Sequence, residues 1–409
     1  MANEFLALLP DPRRNHRIML GTSFSEWPSF TADEIAAVAA VMKSNRVNYW
    51  TGQECREFEK EFAVACNVPH AVAVANGTLA LDLCWKVLGI GAGDEVIVSP
   101  RTFWASASSI INAGAIPVFA DVDADSQNIT PETAARVVSP KTRAILCVHL
   151  AGWPCDMDGF RDLASAHNLL LVEDCAQANG ATWRGKPVGS ESDMAAWSFC
   201  QDKIITTGGE GGMVTACRKD LWSKAWSYKD HGKSWDAVYE RQHPPGFRWL
   251  HESVGTNWRM LEMQAAIGRI QLKRLPEWTA ARRRNAVEIF GIASKFSALR
   301  VPQIPNDVGH AFYKAYVFVE PKALRDGWSR DRVIHEINVL NVPCYQGSCS
   351  EIYLEKAFDH APGRPAERLP FARQLGDTSL MFLVHPTLTH MEIERTKDVI
   401  SMVLSQAQR

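Results

Sequence analysis

The 409-residue sequence has no apolar stretch long enough to span a membrane, and its first fifteen residues lack the apolar core of a secretory signal. It also has no basic run with interleaved aromatic residues, and its formal net charge is -2. We therefore expect a cytoplasmic protein with neither a membrane nor a nucleic acid as partner. The 46% hydrophobic content is enough for one large domain and a smaller one.

Two kinds of binding motif are also missing. The ten cysteines include no CxxC pair and no other zinc or iron–sulfur spacing, so we predict reduced thiols in the core and no metal site. The sequence GxxxxGK[ST], which cradles nucleotide phosphates in hydrolases, does not occur. The absence of this motif excludes a nucleotide hydrolase of the P-loop type.

Short apolar runs alternate with helical patterns from about residue 55 to 220. This alternation is typical of an α/β fold, with a mainly parallel sheet flanked by helices on both faces. A helical pattern after the first run ends at Gly89. The predicted strands are 70–76, 94–100, 116–122, 143–150 and 169–174.

The pattern changes after about residue 245. Residues 246–260 look irregular, and a long helical stretch follows that Pro276 is expected to kink or cap. Residues 312–321 alternate like a half-exposed strand, and Thr389 with Glu392 forms a capping-box pattern before the last helix.

These patterns suggest three regions. We predict an N-terminal arm over 1–30, a large domain over 31–260, and a linking helix with a small α+β domain over 261–409.

One lysine stands out in SFCQDKIITTGGEGGMV, residues 198–214. Lys203 could be an ordinary surface charge, or its amine could form a Schiff base with a carbonyl compound. In a sheet of this kind, the second reading points to pyridoxal phosphate. That cofactor needs an acid beside its ring nitrogen, amide and hydroxyl donors for its phosphate, and an aromatic cover for its ring.

Candidates for each requirement follow strands. Asp174 ends one strand, and Gly77 and Thr78 lie between another strand and a helix. Ser198 could add a hydroxyl, and either Phe103 or Trp104 could cover the ring. Helix caps and core aromatics remain the structural alternatives for these residues.

Four blocks, at 77–110, 172–181, 198–214 and 255–272, resemble the DegT/StrS-type sugar aminotransferases in order and spacing. These enzymes have the pyridoxal-phosphate fold type I, with a large domain and a smaller C-terminal α+β domain. The resemblance covers nearly the whole chain.

The resemblance implies roles for individual residues. Lys203 corresponds to the lysine that forms the Schiff base, Asp174 to the partner of the ring nitrogen, and Gln177 to a contact of the ring hydroxyl. Trp104, rather than Phe103, corresponds to the stacking residue.

The remaining correspondences concern the phosphate of pyridoxal 5′-phosphate. Gly77, Thr78 and Ser198 resemble the residues that bind it. Asn257 resembles an asparagine that a neighbouring subunit contributes, which implies a homodimer with shared active sites.

The implied reaction is an amino transfer in two steps, with ping-pong kinetics. An amino acid, glutamate by resemblance, gives its amino group to the cofactor, and a nucleotide-linked keto-sugar then receives it. A 4-keto-6-deoxyhexose is the expected acceptor, in a pathway to lipopolysaccharide, another polysaccharide or a natural product.

Alternatives remain open at this stage. The family also aminates 3-keto-sugars and keto-cyclitols, and its sugar 3-dehydratases carry histidine in place of the lysine. A non-catalytic regulatory homologue and a different fold type I reaction are further possibilities, although Lys203 and Asp174 are both present. The candidates for the sugar site are His149, His231, His310, Tyr345 and His385.

Overall fold

The computed structural model describes residues 24–409, so most of the predicted arm over 1–30 lies outside the described residues. The main feature is a seven-stranded sheet in the order β1-β9-β8-β5-β4-β2-β3. Its strands are β1 (His70–Val74), β2 (Glu95–Val98), β3 (Ile116–Phe119), β4 (Thr142–Val148), β5 (Leu170–Asp174), β8 (Met194–Ser198) and β9 (Gly212–Ala216). Only β9 runs antiparallel to its neighbours.

All five strands predicted in this region are present in the sheet, with slightly shorter bounds. Strands β8 and β9 were not predicted as strands. They flank the Lys203 segment, and β9 pairs with β1 on one side and β8 on the other. The fold is therefore α/β with a mainly parallel sheet, as the sequence predicted.

Helices cover this sheet and continue into the second half of the chain. They are α1 (Ala32–Ser44), α2 (Glu54–Ala65), α3 (Gly77–Leu88), α4 (Trp104–Asn112), α5 (Pro131–Ala135), α6 (Met157–His167), α7 (Lys219–Tyr228), α8 (Trp235–Tyr239), α9 (Glu262–Ala293), α10 (Arg330–Val339), α11 (Pro370–Thr378) and α12 (His390–Ala407). Short 3₁₀ segments are Leu150–Gly152, Pro321–Ala323, Ile352–Leu354 and Lys356–Asp359. Within residues 24–409, none of these helices has the length and apolar character to cross a membrane.

Several helix boundaries follow the sequence signals. Asn76 caps α3 by accepting from the Leu79 N–H at 2.9 Å, and Gly89 ends that helix with a φ of 73°. The capping box of Thr389 and Glu392 begins α12, as predicted. Pro276, in contrast, lies inside the continuous helix α9 rather than at an end.

The second sheet has four strands in the order β10 (Leu299–Arg300), β12 (Ala315–Val319), β14 (Ser379–Phe382) and β13 (Cys344–Tyr345). A small three-stranded sheet joins β11 (Val308–Gly309), β6 (Thr182–Trp183) and β7 (Lys186–Pro187). The strand predicted within 312–321 is present as β12, but the prediction that it is half-exposed was wrong, because every residue of β12 is buried. Its two faces contribute to different apolar cores, Val317 to one and Phe318 to the other.

The apolar core around the four-stranded sheet draws its fully buried residues from 286–407, whereas the cores around the seven-stranded sheet draw mainly on residues 49–225. We keep a division near residue 260 as a proposed domain boundary. The first half of α9 packs on α1 and α2, and its second half packs on α12. Helix α9 thus contributes side chains to both cores.

The cysteine prediction was correct only in part. All ten thiols are free and most are buried. Cys200 is half-buried, however, and Cys217 and Cys349 are exposed.

Candidate active site

Four predicted site residues follow the carboxyl ends of strands that run in one direction. Gly77 follows β1, Asp174 ends β5, Ser198 ends β8, and Lys203 lies in the loop after β8. Carboxyl ends of parallel strands lie at the same edge of a sheet, which is where α/β proteins bind ligands. We call Gly77, Asp174, Ser198 and Lys203 the strand-end site.

The start of α3 packs directly against the end of β8. A Cβ atom added to Gly77 would lie 2.6 Å from Ser198 Cβ, and one added to Gly212 would lie 2.4 Å from the Asn76 carbonyl oxygen. Side chains at Gly77 and Gly212 are therefore excluded by packing. The first N–H groups of a helix have no partner within the helix, so this end of α3 can bind an anion.

Hydroxyl groups flank this helix start. Thr78 is exposed in the first turn of α3, and Ser198 is buried. The Ser198 oxygen accepts from the Cys200 N–H at 3.3 Å, so its proton remains free to be donated to a ligand. The donor set of amides and hydroxyls fits a phosphate group.

Asp174 is 6% exposed at the end of β5. One carboxylate oxygen accepts from the Ser106 hydroxyl at 2.7 Å, and the other accepts from the Ala176 N–H at 3.1 Å. Hydrogen bonds to both oxygens fix the orientation of the carboxylate. Ser106, on α4, was not among the predicted site residues.

Gln177 and Trp104 are the residues predicted to contact the ring hydroxyl and the ring face of the cofactor. The side-chain oxygen of Gln177 accepts from the Ala151 N–H at 2.8 Å, which leaves its amide nitrogen as a donor. Trp104 is half-buried as the first residue of α4, whereas Phe103 is 67% exposed. The burial favours Trp104 over Phe103 as a fixed aromatic surface.

Lys203 has an aromatic neighbour, Tyr313, in the segment just before β12. Its Nζ lies 5.1 Å from the centroid of the Tyr313 ring, and its backbone oxygen accepts from Trp27 Nε1 at 2.9 Å. The Tyr313 hydroxyl donates to Asp202. Desolvation opposes the charge of Asp202, but Lys203, Lys314 and the Tyr313 hydroxyl outweigh it and lower the pKa of this carboxyl.

Two further cations lie around Tyr313, and we call Arg282 and Lys314 the cationic pair. Arg282 is 1% exposed; its Nη1 donates to the Tyr313 carbonyl oxygen at 3.2 Å, and its guanidinium lies 5.0 Å from the Trp27 ring centroid. Lys314 Nζ lies 4.7 Å from the centroid of the Tyr313 ring. Neither cation was predicted from the sequence.

The five candidates for the sugar site are not all in one place. The His385 ring stacks on the Trp27 ring with a centroid distance of 6.1 Å. Trp27 in turn donates to the backbone oxygen of Lys203. Burial lowers the pKa of His385 to about 3, with help from Arg282 and Lys314, so its ring is neutral at pH 7.

His310 lines a different cavity, of about 700 Å³, and stacks on Phe312. His231 is exposed, and Tyr345 lies on β13. Of the five candidates, only His385 is placed near Lys203 by these contacts.

His149 is fully buried, and its ring nitrogens contact Glu173 and Cys155. Its Nε2 hydrogen-bonds Glu173 at 2.9 Å, and its Nδ1 accepts from the Cys155 N–H at 3.0 Å. His149, Glu173 and Cys175 have possible ligand atoms within 4.8 Å of one another. The hydrogen bonds of His149 and Glu173 are consistent with a structural role for this buried group.

Asn257 is exposed in the irregular segment before α9, where its backbone pairs with Asp230. The adjacent Trp258 carbonyl accepts from the Ala75 N–H at 2.9 Å, just after β1. The contribution of Asn257 to a partner's site stays a prediction.

Three residues near the site had no strong sequence signal. Ser106 lies in the first turn of α4, and a hydroxyl at that position is common in any helix. Arg282 and Lys314 lie in charged or alternating segments that are typical of solvent-facing surfaces. Only their burial in the folded chain distinguishes them.

Comparison with known proteins supports an enzyme of amino transfer. Residues 28–403 match the DegT/DnrJ/EryC1/StrS aminotransferase family. The chain is 37% identical over 358 residues to a GDP-perosamine synthase of Caulobacter vibrioides, covering 85% of this chain and 89% of that protein.

Two more relatives extend this likeness. A dTDP-3-amino-3,4,6-trideoxy-alpha-D-glucose transaminase of Streptomyces venezuelae is 34% identical, with 92% of this chain and 93% of that protein covered. The X-ray structure of an aminotransferase from Psychrobacter cryohalolentis superposes with a TM-score of 0.92 at 60% identity, covering 93% of this chain and 99% of that one.

Proposed function

We infer the reaction from one premise: the chain belongs to the DegT/DnrJ/EryC1/StrS aminotransferase family. It is an aminotransferase of fold type I that depends on pyridoxal 5′-phosphate. We propose that it transfers an amino group from glutamate to a nucleotide-linked 4-keto-6-deoxyhexose. The observation that best supports this proposal is the strand-end site, where an amine, a buried carboxylate and a helix start converge.

The residues present fit the cofactor. The amides at the start of α3, with the hydroxyls of Thr78 and Ser198, would hold its phosphate. Asp174 would keep the ring nitrogen protonated, Trp104 would cover a ring face, and Gln177 would donate to the ring hydroxyl. The cofactor, when bound, supplies an electron sink that makes the Cα–H bond of an amino acid acidic.

The chain's own groups then supply positioning and proton transfer. The Lys203 amine takes the proton from Cα of the donor and later returns a proton to the sugar carbon that becomes aminated. Ser106 holds the Asp174 carboxylate in place at 2.7 Å, so the charge does not need to reorient during the reaction. One lysine serves both half-reactions.

The acceptor class follows from the relatives. One is named for a GDP-linked product and another for a dTDP-linked amino sugar, which supports a nucleotide-linked keto-sugar. The second name specifies a 3-amino group, so a 3-keto-sugar is our second candidate. A keto-cyclitol remains a third possible acceptor.

The decisive experiment follows the donor half-reaction and the acceptor half-reaction separately. The purified protein, loaded with cofactor, is converted to its amino form with glutamate and then mixed with a panel of nucleotide-linked keto-sugars and keto-cyclitols. We expect the original cofactor absorbance to return with a 4-keto-6-deoxyhexose, and mass spectrometry to detect the amino sugar. Return with a 3-keto substrate alone would move the assignment to the second candidate.

We also propose a homodimer with shared active sites. Exposed apolar side chains are concentrated in the segment that contains Asn257, including Phe247 at 78%, Trp249 at 81% and Val254 at 90% exposure. Exposed apolar groups of this kind favour a protein interface. Mixing Lys203→Ala chains with Asn257→Ala chains should create one intact site in each mixed dimer.

This complementation has a clear control. Each variant alone should have little activity, and mass spectrometry of the mixture should verify subunit exchange. If exchange occurs and activity does not return, Asn257 acts within its own chain.

A further inference from the structure

Arg282 is a buried cation without an anionic partner. Its Nε and Nη2 atoms are buried and have no hydrogen-bond partner among residues 24–409, and its Nη1 donates only to a backbone carbonyl. A guanidinium that loses its water shell without gaining an anion is costly to bury. The unused donors thus mark a place where an anion would be stabilised.

Lys314 strengthens the positive charge at the same place. Its ammonium and that of Lys203 both lie close to the Tyr313 ring, at 4.7 and 5.1 Å from the centroid. Burial, together with Arg282 and Lys203, lowers the pKa of Lys314 to about 8 against the opposing effect of Asp202. Three cationic side chains therefore surround one carboxylate.

The surrounding groups do not neutralise this charge. Asp202 accepts from the Tyr313 hydroxyl, and His385 is neutral. Trp27 covers the guanidinium of Arg282 with its ring, a contact that favours a cation but adds no negative charge. A bound carboxylate would supply the missing negative charge.

We propose that the cationic pair, Arg282 and Lys314, is a carboxylate-binding subsite for the amino donor. The planar guanidinium of arginine can donate two parallel hydrogen bonds to a carboxylate, and the lysine ammonium adds a positive point charge. An amino acid whose amino group reacts at Lys203 has a carboxylate only a few bonds away, within reach of groups around the same tyrosine. This inference rests on the proposed function only in taking an amino acid as donor.

The same carboxylate chemistry could come from the acceptor, if the keto-sugar is acidic. The cationic pair does not distinguish the two sources, since both would bring a carboxylate to Lys203. The experiment therefore measures the two half-reactions separately.

The test uses Lys314, because Arg282 also supports the Tyr313 backbone and its removal would disturb folding. Glutarate serves as an unreactive dicarboxylate, and its binding to the cofactor-loaded enzyme is measured by calorimetry. We expect Lys314→Gln to weaken glutarate binding at least about tenfold, and Lys314→Arg to restore it to within about threefold. Glutaramide, which is uncharged, should bind equally weakly to all forms.

A matched control is available on the same segment of chain. Lys322 is exposed in the 3₁₀ turn after β12, and Lys322→Gln should leave glutarate binding unchanged. Thermal melting of each variant checks that the fold is intact.

Kinetics then identify the source of the carboxylate. A raised KM for glutamate in Lys314→Gln, with the acceptor KM unchanged, assigns the subsite to the donor. A raised acceptor KM alone assigns it to an acidic acceptor and overturns the donor assignment. Wild-type glutarate binding in Lys314→Gln, or no glutarate binding by the wild type, overturns the subsite itself.

These outcomes are independent of the sugar screen. Glutarate binding and the glutamate half-reaction need no keto-sugar, so failure to find an acceptor would leave the subsite standing. Conversely, an active sugar aminotransferase with unchanged glutarate binding in Lys314→Gln would refute only the subsite.

Discussion

At the strand-end site, each residue lies in or just after a strand of one sheet, and the backbone shapes the site as much as the side chains do. The cationic pair is different, because Arg282 comes from α9 and Lys314 from the position just before β12, and only their side chains matter. Gly77 tolerates no Cβ, whereas Lys314 needs only a positive charge in our proposal. A site built from backbone should therefore be intolerant of small changes, while one built from charge should accept charge-preserving substitutions.

The largest effect should come from Lys203 in the strand-end site. In our proposal Lys203 moves the proton, so we expect Lys203→Ala to lower turnover by more than about 10³-fold while the fold is retained. Steady-state kinetics and circular dichroism provide the measurement. Near-normal turnover in this variant would refute the assigned role.

Asp174→Asn keeps the shape of the side chain and removes its charge. The ring nitrogen would lose the group that keeps it protonated, so we expect the rate to fall about 10²-fold, which corresponds to about 2.7 kcal/mol of barrier. Ser106→Ala, which removes only one hydrogen bond to Asp174, should cause a smaller loss. A wild-type rate in Asp174→Asn would show that this acid is structural.

Gly77→Ala tests the intolerance of the backbone directly. The new Cβ would lie 2.6 Å from Ser198 Cβ and 3.1 Å from Ser198 Cα, so the helix start must move. We expect cofactor affinity to fall about tenfold, in line with the usual cost of overpacking. Gly291→Ala in α9 is the matched control, because its Cβ would meet nothing within 4 Å.

The smallest effect concerns pH and the cationic pair. Lys314, with a pKa lowered to about 8 by burial and by Arg282 and Lys203, is charged at pH 7 and loses its proton as pH rises through 8. If its charge binds the donor, the KM for glutamate should rise about fivefold between pH 7 and 9.

Lys314→Arg keeps its charge at pH 9 and should remove most of this rise. The two forms differ only at residue 314, so the comparison isolates the lysine. An identical pH profile in the two forms would count against the subsite.

These two regions also differ in how far the sequence predicted them. Gly77, Asp174 and Ser198 lie in short segments with local signals, namely a strand followed by a helix start, and five of the seven strands were predicted for the same reason. Strand β9 was missed because its five residues follow a glycine-rich loop that masks the apolar run. Strand β12 was predicted, but its burial on both faces depends on packing between distant segments.

Arg282 and Lys314 could not have been predicted from local pattern. Arg282 belongs to a run of three arginines in a helix, and such runs are usually solvent-facing. Their placement depends on the meeting of α9, β12 and Trp27, which are far apart in the chain. Long-range packing, rather than residue type, creates the cationic pair.

The position of β9 has a consequence for the order of assembly during synthesis. Gly212 pairs with Val74 on one side and Ser198 on the other, so β1 is joined to the rest of the large sheet through β9. Before Gly212–Ala216 leave the ribosome, a nascent chain has β1 and α3 but lacks the strand that joins them to the rest of the sheet. If the strand-end site binds the cofactor as we propose, capture requires this late, non-local pairing, and cofactor binding then reports on completed folding of the sheet.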